Sequence, residues 1–235
     1  MNILIACEES QTVCIAFRKL GCKAFSCDLL PCSGKHPEWH FMCDVFGVIK
    51  NKGGKLETGK SYHVKGTWDL MIAHPPCTYL SVSGARWYYH PEDGHLPMEK
   101  RRSHPNFPNR AKDKDHAIKF FKKLARVDIK RIAIENPIGI MSKILRKPDQ
   151  IVQPYMFGDE ATKTTCLWLK NLPPLVPTKI VGKGERVVLS SGRSLPKWYS
   201  DSFHTSISTE LRRTLRSKTF QGFAEAMATQ WTNLK

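Results

Sequence analysis

The chain has 235 residues, with 37 lysines and arginines against 21 aspartates and glutamates and a formal net charge of +16 at pH 7. That length holds one α/β domain with a small appendage and excludes two large domains, while the cationic excess points to a polyanionic partner, nucleic acid foremost. No apolar run approaches the roughly 20 residues that span a bilayer, and residues 1–7 lack a charged leader and cleavage pattern, so the expectation is a cytoplasmic protein without a membrane partner, its eight cysteines free thiols.

Residues 2–6 form a short apolar run that reads as a strand. A polar turn follows, Cys7-Glu8-Glu9-Ser10-Gln11, and then Val13, Ala16, Phe17 and Leu20 recur at helical spacing. A second strand over 24–27 ends at Asp28, about twenty residues after the first, where nucleotide-binding folds often place a carboxylate on ribose hydroxyls. Strand, loop, helix and strand in this order make a Rossmann-like unit. A third strand over 68–73 runs into Pro75-Pro76-Cys77, and Ala117, Phe120, Phe121 and Leu124 mark an amphipathic helix. Residues 131–134 form a further strand that delivers Glu135-Asn136-Pro137 at its carboxyl end, and 165–169 form another. Phe223, Met227, Ala228 and Trp231 make a closing helical stripe. Residues 1–170 then constitute a core. Residues 171–217, with eight lysines or arginines against three acids, form a small basic segment facing a partner, and 218–235 return to the core as a helix.

Ligands of open α/β sheets bind beyond the carboxyl ends of the strands, which places Cys77 and Glu135 on one rim. A thiol and a carboxyl facing across a slot suit covalent chemistry on cytosine. Carbon 5 of that base is too weak a nucleophile to take a methyl group until a thiolate adds at carbon 6. The developing charge then needs a proton near ring nitrogen 3, which a carboxyl held partly protonated by its surroundings can donate.

With Pro75-Pro76-Cys77 and Glu135-Asn136-Pro137 the chain resembles the DNA cytosine carbon-5 methyltransferases, whose nucleophile lies in a Pro-Pro-Cys loop and whose acid lies in a Glu-Asn-Val segment. The runs Trp68-Asp69-Leu70-Met71-Ile72-Ala73-His74-Pro75-Pro76-Cys77-Thr78-Tyr79-Leu80 and Pro173-Pro174-Leu175-Val176-Pro177-Thr178 are similar to a compact, phage-type branch of that family. The likeness is strongest over 1–45, 68–87 and 131–178. It implies a Rossmann-like methyltransferase fold with a mixed, mostly parallel sheet, S-adenosylmethionine as methyl donor, DNA as partner, no obligate protein partner, and, for a phage-encoded chain, the host cytoplasm. By the same resemblance, Cys77 is the nucleophile and Glu135 the acid, with Asn136 and the Pro76 backbone holding loop and base edge. The donor falls to Cys7, Glu8, Glu9, Ser10, Asp28, Asp44 and Pro75. The family's first motif reads Phe-x-Gly-x-Gly, whereas this chain has no glycine before Gly21.

After Cys77, the segment Ser81-Val82-Ser83-Gly84-Ala85-Arg86-Trp87, continuing through Lys100-Arg101-Arg102 to Arg110, corresponds to the family's mobile loop. Ser81, Arg86, Trp87, Arg101 and Arg102 are its candidates for stacking on bases and contacting phosphates. Where the family carries Gln-x-Arg-x-Arg, this chain reads Phe157 to Thr165, and Lys163 or Thr165 takes the place of the arginine that reaches the cytosine carbonyl. Cys32, His36, His40 and Cys43 have spacings within reach of zinc. Their Cys-His-His-Cys order is unusual for a finger, and the reading is no metal. The short segment 171–217 keeps open the same chemistry on single-stranded DNA, RNA or a free cytosine nucleotide. The missing glycines and arginines keep open a non-catalytic nucleic-acid-binding protein on a degenerate methyltransferase scaffold.

Overall fold

Apolar runs bounded by turns become the strands. The computed structural model describes residues 1–85, 87–203, 208–232 and 234. Its strands are β1 (Asn2–Ala6), β2 (Lys23–Asp28), β3 (His40–Met42), β4 (Gly53–Lys55), β5 (Ser61–His63), β6 (Leu70–Ala73), β7 (Arg131–Pro137), β8 (Gln150–Val152), β9 (Thr165–Lys170), β10 (Arg186–Val188) and β11 (Ser194–Pro196). The α-helices are α1 (Thr12–Lys19), α2 (Val45–Asn51), α3 (Val82–Ala85), α4 (Arg110–Ala125), α5 (Met141–Ile144), α6 (Lys197–Asp201), α7 (Thr209–Ser217) and α8 (Gln221–Thr232).

Seven strands form one mixed sheet in the order β3-β2-β1-β6-β7-β9-β8. The first five are parallel, and β9 and β8 run antiparallel to their neighbours. The chain is thus α/β with a mostly parallel sheet, an arrangement compatible with a Rossmann-like fold. Strand order reverses between β1 and β6, the crevice where such sheets bind ligands. No helix among the described residues is long and apolar enough to cross a membrane.

Side chains alternate along each central strand and so build two cores. Ile3, Ile5, Leu70, Ile72 and Ala133 pack with α1 and α8, where Val13, Phe17, Met227 and Trp231 are fully buried. Leu4, Ala6, Met71, Ala73, Ile132 and Ile134 turn to the opposite face, against Phe121 and Leu124 of α4 and Val48 of α2. Each fully buried aliphatic or aromatic side chain contributes about 1.5–3 kcal/mol. Leu20, the last member of the first helical stripe, departs from expectation. It caps α1 and is 48% exposed, because Gly21 at φ 78° turns the chain into β2. Between β9 and α8 lie the two-stranded β10–β11 hairpin, α6 and α7, and α8 then packs on α1.

Candidate active site

The loops after β6 and β7 meet above the sheet. The Asn136 amide, buried on β7, donates to the Pro75 carbonyl at 2.7 Å, so β7 fixes the start of the Pro-Pro-Cys loop. Further on, Ile140 N–H donates to the Leu80 carbonyl at 2.9 Å and Val82 N–H to the Ile138 carbonyl at 3.2 Å. Gly139 permits this approach, since a Cβ there would lie 2.0 Å from the Leu80 carbonyl oxygen. Pro75 is buried, whereas Pro76 and Cys77 open to the surface.

His74, the last residue before the two prolines, crosses to the neighbouring strand. Its Nδ1 lies 3.1 Å from Glu135 Oε2, with both side chains close to nine-tenths buried. Its Nε2 is buried with no hydrogen-bond partner among the described residues. Burial pushes the Glu135 carboxyl up, but the His74 hydrogen bond and charge, the Lys163 charge and the Thr165 hydroxyl outweigh it and hold the group below the usual glutamate value. These surroundings favour the ionised form of Glu135 over the partly protonated acid that the sequence suggested. Cys77 shifts the other way. Protein around its sulfur thins out the water, and this desolvation, followed by the Glu135 charge, pushes the thiol up against the opposing pull of Lys163 and its own backbone N–H. Burial and the Glu135 charge both favour the thiol over the thiolate at Cys77.

Lys163 and Thr165 lie beside Glu135. The Lys163 ammonium donates to the carbonyls of Arg216 at 2.9 Å and Lys218 at 3.0 Å, at the end of α7, while its charge reaches Glu135 and Cys77. Thr165 Oγ1 donates to the Lys163 carbonyl at 3.1 Å. Glu135, Lys163 and Thr165 line a narrow crevice with Gln153, Thr219 and Phe220. Gln153 donates to Thr164 Oγ1 at 2.7 Å, and its Oε1 is buried with no partner among the described residues.

Of the remaining strand-contact candidates, Arg86 lies outside the described residues. Ser81 is buried, bonded to Ser83 Oγ and bridged to Gly139. Its place is in the junction of the two loops rather than on a nucleic-acid surface. Arg102 grips Asp93, with Nη2 2.7 Å from Oδ1, and Arg101 donates to the carbonyls of Leu96 and Gly94 at 2.7 and 2.9 Å. Both guanidiniums are engaged inside the segment they were expected to project from. Trp87 stacks edge-on against His104 and Phe107. The expected mobile loop is thus a small folded unit. Arg110 completes it, lying over Tyr79 at 5.1 Å and donating to the Thr78 carbonyl at 3.0 Å.

The opposite side of the switch point carries the donor candidates. The backbone N–H groups of Cys7 and Glu8 both donate to the Cys27 carbonyl, at 2.7 and 3.2 Å. Cys7 and Gln11 each sit at φ 59°, the left-handed region that glycine enters freely. A turn of the kind that glycine makes easily is here made by side-chain-bearing residues. Glu8 is buried, and its two oxygens accept from Val13 N–H at 2.7 Å and Cys14 N–H at 3.2 Å. It caps α1 and is withdrawn from donor contact, which corrects its expected role. Burial is the largest influence on the Glu8 carboxyl and lifts it above the usual value.

Burial, then the charges of Asp28 and Asp44, push the Cys7 thiol up to about 12, which places both carboxylates beside it. Asp28 accepts from Leu30 N–H at 3.0 Å, and Asp44 caps α2 through Phe46 N–H at 3.4 Å. Glu9 and Ser10 are half-buried on the same rim. In the weighed zinc set, both ring nitrogens of His40 are taken, Nδ1 by Ser26 Oγ at 2.8 Å and Nε2 by the Leu30 carbonyl at 2.9 Å.

His74, Gln153, Gly139 and Arg110 are the residues that sequence reasoning missed. Only His74 carried a signal, as an ionisable residue directly before the reactive loop. No family model matches the chain, and a search of curated proteins finds none that matches it.

Proposed function

We propose that the protein methylates carbon 5 of cytosine in DNA, using S-adenosylmethionine, in the cytoplasm. The observation that supports this reading is that Cys77, in the loop after β6, and Glu135, at the carboxyl end of the adjacent parallel strand β7, lie on one rim, near enough for the Glu135 charge to push the Cys77 thiol up. Asn136 and Gly139 tie the two loops together, as a pair of groups gripping one base requires.

Cys77 adds to carbon 6, and Glu135 passes a proton to ring nitrogen 3. The electron-rich carbon 5 is then ready for alkylation, and loss of its proton releases the sulfur. Asp28 and Asp44, with Glu9 and Ser10, supply acceptors for the hydroxyls and amines of the donor, and the left-handed turn at Cys7 and Gln11 fits a close backbone approach. S-adenosylmethionine supplies the transferable methyl group when bound there. Base chemistry in a duplex requires the nucleotide to be flipped out, and the net charge of +16 favours the polyanion.

The test is incubation with DNA carrying 5-fluorocytosine and the methyl donor. Fluorine cannot leave as a proton, so the protein is expected to remain covalently attached. Donor binding without a trapped adduct overturns the proposal.

One observation favours a second substrate for the same chemistry. Between β9 and α8 the described chain holds only the β10–β11 hairpin and two short helices, a small surface for opening a duplex. Turnover compared on duplex, single strand, RNA and mononucleotide separates the two readings, and a clear duplex preference removes the second.

A further inference from the structure

The proposed reaction leaves its proton unassigned. The surroundings of Cys77 favour its thiol and those of Glu135 its ionised form, which points to sulfur as the source of the proton that ring nitrogen 3 needs. We infer that His74, through its 3.1 Å hydrogen bond from Nδ1 to Glu135 Oε2, is the positioning residue that keeps Glu135 available to take the Cys77 proton and hand it to the base. This inference rests on the cytosine-adduct reading.

The geometry supports it in two ways. His74 precedes the Pro-Pro-Cys loop directly, and its backbone N–H donates to the Ala6 carbonyl at 2.9 Å while its ring Nδ1 meets Glu135, so the residue is held between β1 and β7. Its Nε2 has no partner among the described residues, which leaves the bond to Glu135 as the ring's hydrogen bond to the protein. Such a bond to a carboxylate needs the proton on Nδ1.

The charged and titratable groups around the pair come from every neighbouring element. Glu8, on the loop after β1, faces His74. Lys163, Thr165, Cys77 and Cys166 surround Glu135 from β9 and the loops on either side. Of these, the contributions of His74, Lys163 and Thr165 favour the ionised acid.

The step balances. The S–H bond breaks and its proton moves to a Glu135 oxygen, while the sulfur pair forms the bond to carbon 6. The carbon 5–carbon 6 π pair shifts to carbon 4–carbon 5, the carbon 4–nitrogen 3 π pair moves onto nitrogen 3, and nitrogen 3 takes the proton from Glu135. Glu135 returns to a carboxylate, and His74 keeps its own protons throughout.

Exchange of the cytosine carbon 5 hydrogen for solvent deuterium, followed without any methyl donor, reports the addition together with deuteration and deprotonation of carbon 5 and release of the sulfur, free of methyl transfer. Its rate should rise with pH through the ionisation of Glu135. Replacing His74 with leucine removes the hydrogen bond and leaves burial less opposed, so the carboxyl keeps its proton to higher pH and the rising limb moves up. A displacement of one pH unit reads as an about tenfold loss at a fixed acidic pH that fades toward alkaline pH. His74→Asn presents an N–H close to the position of Nδ1 and should return the limb toward the wild-type position. A uniform loss at every pH, or a His74→Asn limb displaced as far as that of His74→Leu, overturns the inference and leaves the cytosine reading standing. Wild-type protein that exchanges no hydrogen at any pH overturns both. Should His74→Leu fail to fold, the wild-type protein still decides the question: a carbon-13-labelled Glu135 carboxyl that remains protonated to neutrality defeats the inference, and one that titrates below the ordinary glutamate value supports it.

Discussion

The two sides of the switch point are built by different means. On the side of β6 and β7, polar side chains reach across strands: Asn136 to Pro75, His74 to Glu135, and Lys163 to the end of α7. On the side of β1 and β2, the loop is held by backbone bonds to Cys27, by the Glu8 cap and by the Gln11 amide on Ser26 and His36, while Asp28 and Asp44 serve their own local turns. On the proposed reading, the contrast is between groups locked to one another, as a reacting centre needs, and acceptors along a rim, as a site for a polar small molecule needs.

If the two sides are separable in this way, substitutions should split them. The largest effect is expected from Cys77→Ser, which should abolish the covalent adduct with 5-fluorocytosine DNA and leave donor affinity by calorimetry unchanged. Gly139→Ala comes next. Its methyl would press on the Leu80 carbonyl and part the two loops, and adduct formation should slow by about 100-fold, the cost of a misplacement near 1 Å. A drop in donor affinity of the same size would erase the distinction between the sides. Asp28→Ala is the converse probe. Loss of a charged acceptor should weaken donor binding by about 1.5–3 kcal/mol, with donor-free hydrogen exchange at carbon 5 unaltered.

The smallest effect belongs to Asp93→Asn, outside both sides. Arg102 holds the Asp93 carboxyl at about 2, so its contribution to stability is complete above the ordinary carboxylate range and is lost as pH falls through about 2. The melting temperature of the wild type should exceed that of the variant near neutrality, and the gap should close toward pH 2. A gap that persists there assigns the difference to packing instead of charge.

The central strands were legible because their apolar residues need no distant partner to declare themselves. β1, β2, β6, β7 and β9 all match apolar runs, with ends displaced by two or three residues at most. The three-residue strands β3 and β8 were not legible. His40 and Gln150 give them no apolar pattern, and pairing with β2 and β9 alone makes them strands. At the site, Cys77 could be placed from its position after a strand, and Glu135 and Asn136 from theirs at the carboxyl end of one. Protonation could not be read in the same way: a carboxyl's state depends on what faces it, and Lys163 and Thr165 arrive from a part of the chain far from Glu135. Arg101 and Arg102 show the same limit in reverse. A basic pair in a Pro-rich stretch looks available until the fold brings Asp93 and the Leu96 carbonyl to it.

Gln11 carries one more consequence. Fully buried, it accepts from His36 N–H at 3.0 Å and donates to the His36 carbonyl at 2.9 Å and to Ser26 at 3.2 Å, so the residue that bends the first loop also fastens the segment after β2. Holding a left-handed backbone with a side chain costs on the order of 1 kcal/mol, and three hydrogen bonds offset it. This chain arrives at its first turn by anchorage where other chains use conformational freedom, and a search that counts glycines passes over it.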